Sequence, residues 1–191
     1  MVNRRNLYPG FLLSCVFGFL LFYSGVSLSL DEQTYPEAKI KIAYLVNFLR
    51  FVEWPEGHGK KTHICLFGTS EEYHNASENL KHQTIDDESI VIREYNDKSG
   101  LGSLENCQII FVTSRASHRQ KIIANTLTGK NVLLVGESQG FIQHGGMINF
   151  ISRDNTVRFE INLDAINRTQ LVIPSKVLRI ADRVISEEHD K

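Results

Sequence analysis

The segment Val157-Arg158-Phe159-Glu160-Ile161-Asn162-Leu163 alternates apolar and polar side chains without a break. A period of two marks a strand with one buried face. Just before it, Ile148 and Phe150 flank Asn149 on a second short strand. Arg153, Asp154 and Asn155 supply the turn, because Asp and Asn tolerate left-handed backbone and bond their own main chain. Gly145 and Gly146 interrupt whatever precedes. A β-hairpin over 145–162 is therefore expected. It constrains function as well as fold, since the clearest structural segment of the chain carries no obvious nucleophile, metal cluster or phosphate loop.

Upstream, strand and helix patterns alternate. Pro36 fits the first turn of a helix, and Ala38, Ile42, Leu45, Val46, Leu49 and Val52 then recur at helical spacing. Tyr44, Phe48 and Phe51 form a second stripe, and Trp54-Pro55 ends the helix. Strands are expected over 63–67, 90–95, 108–113 and 132–135, with helices over 71–82 and 115–127. After the hairpin come a short helix over 163–168 and a last helix opened by Pro174, with Val177, Leu178, Ala181, Val184 and Ile185 on one face. This order argues an α/β fold, a three-layer sandwich with a mostly parallel central sheet extended by the antiparallel hairpin.

The N-terminal segment reads as a processing signal. Arg4 and Arg5 precede an apolar run from Phe11 to Val26, and Ser27 and Ser29 have the small size that a signal peptidase reads. A membrane anchor is the alternative, but a run of about 16 residues falls short of the roughly 20 that a bilayer needs. Leu12-Leu13-Ser14-Cys15 loosely resembles a lipoprotein signal, yet the apolar run continues well past Cys15. Residues 1–29 are therefore expected to be a cleaved signal peptide and 30–191 one exported domain. Loss of Arg4 and Arg5 would take the net charge from −1 to about −3, and no basic patch suggests nucleic acid as a partner.

Cys65 and Cys107 remain after such cleavage. An even pair in an exported chain points to a disulfide, with two buried thiols as the alternative. The aromatic stripe of the first helix is open to two readings. Either it is buried on both sides within the domain, or Phe48, Phe51 and Trp54 form an interface for a partner or a dimer mate.

Two further segments invite chemistry. Gly136-Glu137-Ser138-Gln139-Gly140 matches G-x-S-x-G after an apolar strand, and Ser138, Asp164 and His189 follow a hydrolase order. The nucleophile elbow needs a helix next, however, whereas Gln143-His144-Gly145-Gly146 leads into a strand, so a turn is expected instead. Gly68-Thr69-Ser70 joins a strand to a helix at the sheet edge where parallel folds bind ligands, and its backbone could hold a small anion. Both G-x-G-x-x-G and the P-loop lysine are missing, and Thr69 or Ser70 serves equally as an N-cap. No histidine pairs with a second His or Cys at a ligand spacing, so neither metal nor cofactor is expected.

Several of these segments occur together in a known order: KIAYLVNFLRFVEWP, ICLFG, NCQIIFV, VGESQGF, GGMINF, VRFEIN and SKVLRIA. From about Glu37 to Val184 the chain resembles the YfiR-like family of bacterial periplasmic proteins. The resemblance implies a periplasmic repressor, not an enzyme. It would bind the periplasmic sensor domain of an inner-membrane diguanylate cyclase, or of a sensor kinase, and so control cyclic-di-GMP and biofilm formation. It also implies release through a peptidoglycan-associated outer-membrane lipoprotein and through periplasmic redox state, and a disulfide between the segments that hold Cys65 and Cys107. Some relatives carry a second cysteine pair near the hairpin. This chain has none there, which separates it from redox control based on that bridge.

Overall fold

Helix α1 (Glu37–Phe51) precedes a sheet whose centre is parallel. Strand β1 (Thr62–Phe67) is followed by α2 (Glu71–Glu78), the two-residue β2 (Thr84–Ile85) and β3 (Glu88–Tyr95). Then come β4 (Ile109–Val112), α3 (Gln120–Leu127), β5 (Leu133–Gly136), β6 (Ile148–Arg153) and β7 (Thr156–Asn162). The chain closes with α4 (Leu163–Asn167), the single turn α5 (Ser175–Leu178) and β8 (Arg183–Ile185). This computed structural model describes residues 37–186 apart from 56–61, 79, 81–82, 86–87 and 103. The expected signal segment over 1–29, Pro36 and His189 lie outside the described residues.

The strand order is β2-β3-β1-β4-β5-β6-β7-β8. Strands β3, β1, β4, β5 and β6 run parallel to one another. β4 and β5 are buried at every position, as parallel strands covered on both faces must be. The hairpin β6–β7 extends this centre in the antiparallel sense, with Phe150 opposite Phe159. Its turn narrows to Asp154 and Asn155, both at positive φ, while Arg153 pairs with Thr156. The fold is thus the α/β arrangement that the alternation predicted.

Helices cover both faces. Phe111 of β4, Phe150 of β6 and Phe159 of β7 share one face, where they meet Tyr44 and Phe48 of α1 and Tyr73 of α2. Ala124 and Leu127 of α3 lie beside Leu134 and Met147 on the other. Such opposite placement follows from right-handed crossovers that leave β1 in one direction along the sheet and β4 in the other. Phe48 is therefore a core residue, only 2% exposed, and does not belong to a surface stripe. Of the aromatic candidates, Phe51 remains well exposed at 39%, and Trp54 is half-buried against the core.

The last helix ends early. Ser175–Leu178 forms one turn, and Val184 and Ile185 lie instead on β8, which pairs parallel with β7. The open edge of β7 explains the difference, because its main-chain groups need partners. Asp182 N–H donates to the Phe159 carbonyl at 2.8 Å, and Arg183 binds the Glu160 carboxylate. β-Branched Val184 and Ile185 suit that edge, although their spacing also fits a helix.

A disulfide joins Cys65 of β1 to Cys107 just before β4, with Cα atoms 6.0 Å apart and a sequence separation of 42. Both residues are buried. In the chain-entropy picture a loop of this length contributes up to about 4 kcal/mol. Replacing both cysteines by alanine should lower the unfolding free energy in urea by a large part of that amount, and a loss below about 1 kcal/mol would argue against this role.

Candidate functional site

The C-terminal ends of β1, β4 and β5 lie side by side, and the chain changes direction along the sheet between β1 and β4. Open parallel sheets place ligands in the crevice at such a switch point. Here a cleft of ≈ 350 Å³ is lined by Ser70 and Tyr73 after β1, Thr113 to Arg115 after β4, Glu137 after β5, and Glu37 and Lys41 from α1.

Its centre is a buried ion pair. Lys41 Nζ lies 2.6 Å from Glu137 Oε2, with the two side chains 7% and 5% exposed. Tyr73 donates its hydroxyl to the same oxygen, and Ser114 N–H donates to Glu137 Oε1 at 2.7 Å. Lys41 also meets Glu37 Oε1 at 2.5 Å, one helical turn back. The lysine lies in the phase of Ala38, Ile42 and Leu45, so the apolar stripe of α1 carries one charge into the interior. Burial, followed by the Glu137 charge, pushes the Tyr73 hydroxyl far above the usual phenol range and keeps it a donor. Lys41 holds the Glu37 carboxyl below its ordinary value of 4.5 against partial desolvation. The contribution of Glu37 to stability is therefore complete above that value and fades as pH falls through its lowered folded value.

The sequence candidates fall around this cluster. Gly68 and Thr69 N–H groups both point to the Tyr95 carbonyl, at 2.8 and 3.4 Å, and Ser70 Oγ caps Tyr73 N–H at 3.5 Å. Only Ser70 of the three lines the cleft. Glu71 and Glu72 add negative charge to the first turn of α2. Ser138 leads through a series of turns into β6, with no helix after it. Its Oγ is buried with no partner among the described residues. Asp164 contacts Ser186 at 3.5 Å, and His189 lies outside the described residues.

The glycine pattern has a packing cause. A Cβ on Gly136 would stand 2.4 Å from the Phe141 ring, and one on Gly146 only 2.2 Å from it. The two glycines admit Phe141, which is 1% exposed, into a slot between them. The G-x-S-x-G spacing thus builds a turn around an aromatic ring. Lys41, Tyr73 and Glu137 escaped the sequence reading as a group. A charge in the buried phase of α1 and an acid directly after an apolar strand were the available signals.

The YfiR/HmsC-like family model matches residues 38–182. The chain belongs to the YfiR/HmsC-like family. At the level of the family, membership implies a periplasmic regulator of diguanylate cyclase signalling. No curated protein sequence matches. Among solved structures, a conserved domain protein from Vibrio cholerae O1 biovar El Tor is similar at TM-score 0.53 and 11% identity, covering 78% of this chain and 60% of that one. An ABC domain from Streptococcus pneumonia, solved in complex with L-Trp, has TM-score 0.50 and 14% identity, covering 65% of this chain and 55% of its own. This YfiR/HmsC-like chain therefore spans little more than half the length of either structure, and these likenesses concern the α/β fold alone.

Removing one member of a buried pair leaves an uncompensated charge, which costs about 3–5 kcal/mol. Lys41→Met should destabilise the domain by about that much in urea unfolding. Adding Glu137→Gln should recover a substantial part of the loss, giving a non-additive cycle.

Proposed function

We propose that this chain is a periplasmic protein that binds the sensor domain of an inner-membrane diguanylate cyclase and holds the enzyme inactive. The observation that carries this reading is the family match across nearly the whole described domain. In this reading a cleaved signal peptide over 1–29 delivers residues 30–191 to the periplasm, and a peptidoglycan-associated outer-membrane lipoprotein competes for the chain and releases the cyclase. A sensor kinase is the other membrane partner to test, and a homodimer is the third association. Repression needs no chemistry. A binder shifts its partner between states by its differential affinity for them.

The surface at the C-terminal end of α1 is the contact we assign. Phe51 is exposed, with Lys176 Nζ 3.8 Å above its ring centre. Val172, 51% exposed, lies alongside because Glu53 and Val172 exchange main-chain hydrogen bonds at 3.0 and 3.2 Å. Trp54 anchors this corner by donating its indole N–H to the Leu49 carbonyl at 3.3 Å. Exposed aromatic side chains such as Phe51 are enriched at interfaces, which makes this ring the anchor of the assigned contact.

Deletion of the gene should raise cyclic-di-GMP, and the tagged protein should co-purify with one inner-membrane enzyme. Unchanged cyclic-di-GMP together with no membrane partner would defeat the proposal. Phe51→Ala should weaken that association by about 2 kcal/mol, some 30-fold, with little change in melting temperature because the ring is already exposed. Unaltered binding by the variant would remove this surface from the contact.

A further inference from the structure

A second cavity, of ≈ 470 Å³, lies between the turn that follows β5 and strands β6 to β8, with Glu37 and Lys41 at its border with the cleft. Its size falls in the range of small-molecule sites. Two polar atoms of its lining are buried without a partner among the described residues, Ser138 Oγ and Asn149 Oδ1. Asn149 is only 4% exposed. Its amide nitrogen donates to Glu160 Oε1 at 3.2 Å, which leaves its oxygen over. Buried polar atoms are nearly always paired, so two orphans in one cavity call for a cause.

The charge balance gives the class of occupant. Glu37, Glu137 and Glu160 face Lys41 and Arg183, which leaves one net negative charge. Both cations are engaged: Lys41 by Glu37 and Glu137, and Arg183 by Glu160. What the cavity leaves unused is an acceptor, Asn149 Oδ1, and a hydroxyl able to accept or donate, Ser138 Oγ, under a negative field. Such a site attracts hydrogen-bond donors carrying positive charge and repels carboxylates.

We infer that this cavity binds a small organic amine, with its ammonium group held by Asn149 Oδ1 and Ser138 Oγ. The site is separate from Gly68-Thr69-Ser70, and it does not depend on which membrane protein the chain contacts. Binding is reversible and involves no covalent step.

Matched probes test it. L-Leucinamide carries an ammonium group and no carboxylate, and 4-methylpentanoate carries a carboxylate and no ammonium. In amide NMR titrations of the exported domain, leucinamide should shift the Gln139, Gly140 and Asn149 resonances saturably. Its affinity should exceed that of 4-methylpentanoate at least about tenfold. Ser138→Ala should weaken leucinamide about 3- to 10-fold while leaving the melting temperature unchanged or raised, since it deletes an unsatisfied buried hydroxyl. Equal affinity for the two probes would overturn the inference. So would unchanged leucinamide affinity in Ser138→Ala, or no shifts up to about 20 mM, the outcome for a cavity that holds only water.

Discussion

The contact between Lys41 and Glu137 ties together elements that are remote in sequence. It joins the first helix to the end of β5, and through Tyr73 and Ser114 it reaches α2 and the segment after β4. Taking two charges out of water costs several kcal/mol per ion, and their attraction offsets this only when the remaining lone pairs and protons are also satisfied. That condition is met here. Glu137 accepts from an ammonium, a phenol and a main-chain N–H, and Lys41 reaches a second carboxylate in Glu37. Removing any one donor leaves the others around a poorly compensated carboxylate. The four elements at this edge are therefore fixed as a set.

The same carboxylate changes what the crevice can accept. In open parallel sheets the switch-point edge commonly takes an external ligand. Here an internal anion fills the position between β1 and β4, and the Gly68 and Thr69 amides already point to the Tyr95 carbonyl. A small anion at Gly68-Thr69-Ser70 would have to compete with Glu137 for the Ser114 amide and would meet Glu71 and Glu72 on α2. Buried polar atoms without a partner among the described residues lie on the other side of Glu37 and Lys41, at Ser138 Oγ and Asn149 Oδ1, and one more, Thr69 Oγ1, lies within the anion candidate itself. Glu137 thus occupies the Ser114 amide on the cleft side and stands at the border between the cleft and the second cavity.

Much of the architecture was legible in the sequence, and the failures have physical causes. Alternation at Val157, Phe159 and Ile161 fixed one face of β7, because a strand half-buried against helices has no other way to hide them. Buried runs such as Ile109–Val112 marked the parallel centre. The C-terminal segment misled because Val177, Leu178, Ala181, Val184 and Ile185 satisfy a helical period, and nothing local reveals that β7 has an edge to cover. Phe48 and Phe51 lie three residues apart on one helix, yet one is core and the other surface. Periodicity assigns a face, but only the partner sheet decides where that face ends, and this one ends with Phe48 against Phe150 and Phe159. Lys41 shows the converse. Its phase on α1 placed it inside, and only the long-range position of Glu137, 96 residues away, explains why a charge is stable there. Pair information of that kind is absent from any local pattern, so the fold could be read from the chain while the centre of its candidate site could not.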